Sequence, residues 1–186
     1  EISCSLVGSE MCIRDRINAD VDSMAYTDVT GINNKLAYQN HINRLNNADD
    51  TFLVGVIMLD LNNLKRVNDT LGHEMGDRYM ESFSAILAGM QNERISAYRI
   101  GGDEFCVILE KTNAVEIHQI LDSLERKINV YNEKNNIKIS YAKGCEISTR
   151  EHYYLMEELT KRADSRMYEN KRLMKGKRLD GRRLNV

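Results

Sequence analysis

The spacing of apolar positions along the chain switches between two periods. FLVGVIML, residues 52–59, is an unbroken run of apolar residues and glycine, and it predicts a strand over 51–61 buried on both faces. Elsewhere the helical period dominates. Ile17, Val21 and Met24 mark a short amphipathic helix over 17–26, read as the end of a longer connecting helix. TDVTGINN, 27–34, is turn chemistry, and a helix then runs through 35–45 with Leu36, Ile42 and Leu45 on one face. A short helix in NNLKRVNDTLG stops at Gly72, and a second, over 73–90, carries Met75, Tyr79, Phe83, Ile86 and Leu87. Residues 95–100 and 104–109 read as a hairpin, and 114–131 as a helix with Val115, Ile117, Ile120, Leu121, Leu124 and Ile128. A strand over 137–147 and a helix over 153–174 with the seam Leu159, Ala163 and Met167 complete the pattern. The order β, α, α, hairpin, α, β, α predicts an α/β chain of the α+β sandwich kind. It is close to the ferredoxin-like split βαβ plan, with a central antiparallel-mixed sheet flanked by helices.

Composition narrows the function classes. Lys plus Arg is 26 and Asp plus Glu is 28, a net charge of −2 over 186 residues, so no nucleic-acid partner is expected. No apolar run is long enough to span a bilayer, and this domain is expected to make no membrane contact. The cysteines at 4, 12, 106 and 145 lack metal spacing, and Cys106 reads as a small core residue. Proline is absent, so turns depend on Gly, Asn and Asp. SLVGSEMCIRDR, 5–16, has neither amphipathic period nor signal-peptide layout and looks like the translation of a transposon adapter. Residues 1–16 are therefore read as a sequencing-adapter artefact, the alternative being a disordered leader, and genomic DNA across the junction decides between them.

The chemistry concentrates at strand ends. Asp60 closes the apolar strand, and Asp103 sits at the mouth of the hairpin in AYRIGGDEFCVILE. If these strands are neighbours, both acids project at one edge, where two carboxylates repel unless a proton or cation lies between them. Hard oxygens at an open rim suit Mg²⁺, which takes one or two carboxylates and fills its sphere with substrate phosphates. On position alone, two acids capping strand ends in water is the slightly better reading. Gly101 and Gly102 would permit positive φ and close approach of a ligand. Lys65 lies at the opening of the next helix, a natural phosphate site. Lys171 and Lys175 stand at i, i+4 on one helix. Asn68 and Asp77 are candidate readers of a guanine edge, although each alone is an ordinary helix-surface residue.

Four blocks, in order, now carry a resemblance. RIGGDEF (99–105) resembles the signature of the GGDEF family, the diguanylate cyclases. DLNNLKRVNDTLGHEMGD (60–77), TDVTGINNK (27–35) and RADSRMYENK (162–171) are similar to that family's other motifs. The resemblance implies a palm-type, nucleotidyl-cyclase-like catalytic domain over 27–180, with a short tail at 181–186. It implies a homodimeric synthase in which two GTP molecules meet across the dimer. Each 3′-hydroxyl attacks the other's α-phosphate, giving cyclic di-GMP and two pyrophosphates. Carried onto this chain, Asp60, the Leu61 carbonyl and Asp103 would ligate Mg²⁺ (or Mn²⁺), two per active site. Asp103, Glu104 and Lys65 would form the catalytic set. Lys65, Lys171 and Lys175 would hold phosphates, Asn68 and Asp77 would read guanine, and Gly101 and Gly102 would line the GTP site. An upstream sensor domain is expected ahead of this fragment. The location expected is cytoplasmic, whether or not the full-length parent is membrane-anchored.

The departures are specific. The family's first motif is here one residue short or shifted, with Thr27 at the place of its aspartate if no gap is allowed, and Lys35 replaces arginine, which puts in question how this loop braces the hairpin. Asn62 replaces a second aspartate, and Lys175 replaces arginine, losing the bidentate fork. The window for the family's inhibitory product site, Asn92 to Ile95, reads NERI, with neither the arginine nor the aspartate of R-x-x-D, so no feedback inhibition through it is expected. The rival from another class is a catalytically weak module that binds GTP or cyclic di-GMP and regulates a neighbour.

Overall fold

The computed structural model describes residues 27–28, 30–47 and 53–183; the leader at 1–16 and the helix expected over 17–26 lie outside these. The elements are α1 (Lys35–Asn46), β1 (Val54–Leu61), α2 (Leu64–Leu71), α3 (His73–Ala88), β2 (Ile95–Arg99), β3 (Glu104–Glu110), α4 (Ala114–Lys134), β4 (Tyr141–Ser148) and α5 (Met156–Arg183). The four strands form one sheet in the order β2-β3-β1-β4, antiparallel throughout rather than mixed. This is the split βαβ order, with β3 returning between the strands that α2 and α3 connect.

Every residue of β1 is buried, as its unbroken apolar run predicts for a central strand. Its alternate side chains feed two cores. Ile57, Leu59 and Leu61 join Phe105, Val107 and Leu109 under α3 and α4. Val56 and Met58 join Cys106 and Ile108 under α1 and α5, against Met156, Leu159, Ala163 and Met167. The hairpin base is seated by Phe105, whose ring meets Phe83 of α3 edge-on with centroids 5.0 Å apart. Cys106 is the small core residue expected: it is fully buried, and burial pushes its thiol far up from the ordinary range.

The contact of α5 with β4 is unusually close. A β-carbon on Gly144 would lie 2.2 Å from both the Ala163 carbonyl oxygen and the Met167 nitrogen, so helix backbone rests directly on strand backbone. That approach fixes the height of Lys171, one turn further along α5.

Several boundaries differ from expectation. Residues 137–140 are not strand. Asn132 of α4 accepts from the Ile139 N–H at 2.7 Å and donates to the Ile139 carbonyl at 2.9 Å, so these groups serve a side chain instead of a ladder. The last helix starts at Met156 and continues to Arg183 rather than spanning 153–174, and α3 stops at Ala88. The inner face of α1 is Tyr38, His41 and Leu45, while Leu36 is exposed. Val115 is likewise exposed on α4.

Candidate active site

The end of β1 and the tip of the β2–β3 hairpin are adjacent. Asp60 pairs with Glu104 in the ladder, and the next rung is a hydrogen bond from the Leu61 N–H to the Asp103 carbonyl at 2.8 Å. Asp60 falls on the α5 side of the sheet because it continues the alternation of Val56 and Met58. Its carboxylate is buried, and the Lys171 ammonium bonds both of its oxygens at 2.6 Å. A cation thus already compensates the charge of that acid.

Beside this pair lies a cleft of about 190 Å³ whose lining includes Leu61, Lys65, Asp103, Lys171 and Lys175. Three lysines and one aspartate line it, from α2, the hairpin and α5, beside Leu61 at the end of β1. Lys65 and Lys175 are exposed, and Lys171 is half-buried. Residues 62 and 63, directly after β1, shape the rim. Asn63 takes the left-handed conformation at φ 65° to start α2, and the Asn62 carboxamide donates to Ser140 Oγ at 3.2 Å. Tyr79 Oη donates to the Asn62 carbonyl at 3.0 Å and accepts from the Ser140 N–H at 3.1 Å, tying α3 to the same corner.

Gly101 and Gly102 differ from expectation. Neither adopts positive φ; among the described residues only Gly31 and Gly72 are glycines that do. Gly101 instead makes room for Glu104, whose Oε2 would lie 2.6 Å from a β-carbon there. Gly102 has open space above it. Glu104 itself is exposed. Asn68 and Asp77 stand apart from the cleft lining, on the α2–α3 helix hairpin, Asn68 half-buried and Asp77 exposed.

Two residues that pattern reading passed over hold the signature hairpin. Arg99 donates from Nη1 to both Asp28 carboxylate oxygens, at 3.1 and 3.3 Å, and from Nη2 to the Gly102 carbonyl at 2.9 Å. Burial alone would raise the Asp28 carboxyl, but hydrogen bonds from Thr30 and the Arg99 guanidinium outweigh it and hold the group below its ordinary value. The loop thus braces the hairpin through Asp28, one place after Thr27. The available signal was a lone acid in the first motif and a lone base opening the signature. The Asn92–Ile95 window is a tight turn in which Asn92 Oδ1 accepts from the Arg94 and Ile95 N–H groups at 2.9 and 3.1 Å. The Asn92 side chain is therefore spent on its own backbone.

The donor set fits a hard divalent cation. Among the described residues no three His, Cys, Asp or Glu side chains form a cage. Asp60 and Asp103 with the Leu61 carbonyl give few, hard oxygens beside a cationic cleft, the pattern that leaves coordination positions for phosphate oxygens and water. Among the described residues no helix is long and apolar enough to cross a membrane.

Comparison with known proteins is consistent along most of the chain. The family described as "Diguanylate cyclase, GGDEF domain" matches residues 24–177. The diguanylate cyclase DgcN of Escherichia coli is 34% identical over 152 residues, covering 77% of this chain and 36% of that protein. The cyclic di-GMP phosphodiesterase PdeR of Escherichia coli is 42% identical over 101 residues, 54% of this chain but 14% of that protein. The chain thus spans only a minor part of these relatives. Among solved structures, the coiled coil and GGDEF domain of DgcB from Caulobacter crescentus, in complex with c-di-GMP, superposes with a TM-score of 0.75 at 20% identity, covering 89% of this chain and 92% of that one. That likeness shows the fold. With the family match spanning the whole sheet and both strand-end acids, the chain belongs to the diguanylate cyclase GGDEF domain family.

Proposed function

We propose that this chain is a diguanylate cyclase, condensing two GTP molecules into cyclic di-GMP with release of two pyrophosphates. The observation that carries the reading is the single corner where Asp60, Asp103, Lys65, Lys171 and Lys175 converge, two acids and three ammonium groups at the end of β1. Asp60, Asp103 and the Leu61 carbonyl would hold Mg²⁺ or Mn²⁺. Bound there, the metal supplies charge stabilisation for attack at the α-phosphate. The three lysines hold the β and γ phosphates and keep pyrophosphate charge in place as it leaves. Lys171 exchanges the Asp60 carboxylate for a phosphate when nucleotide arrives. Asn68 and Asp77 read the guanine edge, and Glu104, at the signature's second acid, supports the metal side of the site. Each site holds one GTP, so ring closure needs a second copy of the chain facing the first.

The similarity to a named phosphodiesterase supports a second reading, a nucleotide-binding module that regulates a neighbouring domain. Purified chain incubated with GTP and Mg²⁺ at several protein concentrations separates the two. The cyclase reading predicts cyclic di-GMP, formed at a rate that rises faster than linearly with protein, and none from Asp103→Ala. GTP bound but left intact at every concentration favours the regulatory module instead.

A further inference from the structure

Asn68 and Asp77 sit on different helices, and reading one base edge requires that their relative position be set. The two helices turn at Gly72, whose φ of 88° is left-handed, and the turn is closed by hydrogen bonds from the Gly72 N–H to the Asn68 carbonyl at 2.9 Å and from the Gly76 N–H to the Gly72 carbonyl at 3.3 Å. That places the backbones. Among the described residues no hydrogen bond holds the Asn68 carboxamide, so its place is decided by packing. The packing surface is Gly76, a buried residue immediately before Asp77. A β-carbon on Gly76 would fall 1.8 Å from Asn68 Oδ1 and 2.8 Å from its Cγ. The carboxamide therefore fills the space that a side chain at position 76 would occupy.

We propose that Gly76 is the residue that positions Asn68 beside Asp77 for guanine selection, a specificity role exerted through Asn68 and not by contact with the nucleotide. The inference rests on the reading of Asn68 and Asp77 as base readers. Gly76 is not at positive φ, so alanine fits the helix backbone and adds helix propensity. The atoms displaced are the end of one short side chain, which can swing to another rotamer. Gly76→Ala should therefore spare the fold and displace the Asn68 carboxamide, which supplies the three atoms nearest the added carbon.

The test compares wild type, Gly76→Ala, Asn68→Ala and the double variant. Affinities for α,β-methylene-GTP and its adenine counterpart are measured by calorimetry, and Tm is recorded for each protein. Gly76→Ala should weaken guanine-analogue binding about tenfold or more, the loss of a well-placed base contact, with the adenine analogue unaffected and Tm equal or higher. In the Asn68→Ala background Gly76→Ala should have no further effect. Wild-type affinity in Gly76→Ala, or a loss that persists undiminished in the double variant, overturns the proposal. The side-chain amide resonances of Asn68 in nucleotide-free protein give a second readout, which should shift in Gly76→Ala; unmoved resonances also overturn it. A wild-type chain that does not prefer the guanine analogue overturns the base-reading role, while the amide shift still reports on whether Gly76 places Asn68.

Discussion

A buried carboxylate with a single ammonium partner makes Lys171 the residue whose loss is most legible in stability. Asp60 has 7% of its side chain exposed and Lys171 27%, so the pair is shielded on one side and open on the other. Lys171→Met leaves the acid buried without its cation and should cost about 1–3 kcal/mol, measured by urea unfolding without nucleotide. His41 makes the second residue-scale case. It lies buried between the Tyr98 hydroxyl of β2, Glu110 of β3 and Arg44 of α1, with Nε2 2.9 Å from Glu110 Oε1. The Tyr98 hydroxyl and His41 Nδ1 share one hydrogen bond, and burial pushes the Tyr98 phenol up to about 12. Burial lowers the His41 value, and the Glu110 carboxylate only partly opposes this. The folded state therefore binds fewer protons here than the unfolded chain. The contribution is fully present above the unfolded value of about 6.5 and is lost as pH falls below it. Unfolding free energy should decline between pH 7 and pH 5 in wild type, with a shallower slope in His41→Gln.

Gly144 controls the height of a whole element. Any β-carbon there collides with the backbone of α5, which cannot yield as a side-chain end would. Gly144→Ala should destabilise by about 1–3 kcal/mol and, by lifting α5, also weaken nucleotide binding through Lys171 and Lys175, read by unfolding and calorimetry on the same protein. The strands and the inner seam of α5 were legible from periodicity because burial on two faces, or along one stripe, leaves a plain pattern in the residues. The start of β4 was not, because Asn132 diverts the backbone groups of Ile139 across a loop, and pattern has no access to such a tertiary bond. Leu36 misled for a related reason. Tyr38 and His41 carry the inner face of α1 through polar-tipped side chains that satisfy partners in the core. The strand-end acids stood out because a charge ending an apolar run has no packing role. Asp28 and Arg99 were invisible as a pair, since their contact joins residues 71 positions apart.

At the scale of the whole molecule the sheet order explains why the chemistry gathers where it does. Placing β3 beside β1 brings two acids from distant stretches to one corner, and packing α5 across β4 delivers Lys171 and Lys175 to it, beside Lys65 of α2. The opposite end of the hairpin is different. Asn92 caps its own turn and Ile95 packs against the core, so position 92 holds no arginine and position 95 no aspartate to bind a product there. Added cyclic di-GMP should leave the initial rate of turnover unchanged, and inhibition that vanished in an Asn92 or Arg94 variant would contradict that expectation.

The proposed function requires that the adjoining ends of β1 and the β2–β3 hairpin share a divalent ion with a triphosphate. Calorimetric titration of Mn²⁺ into the chain saturated with α,β-methylene-GTP, for wild type and Asp103→Ala, addresses this without turnover. Wild type should bind the ion at least about tenfold more tightly than Asp103→Ala, the loss of one charged ligand. Equal Mn²⁺ affinity in the two proteins, with nucleotide bound in both, would contradict it.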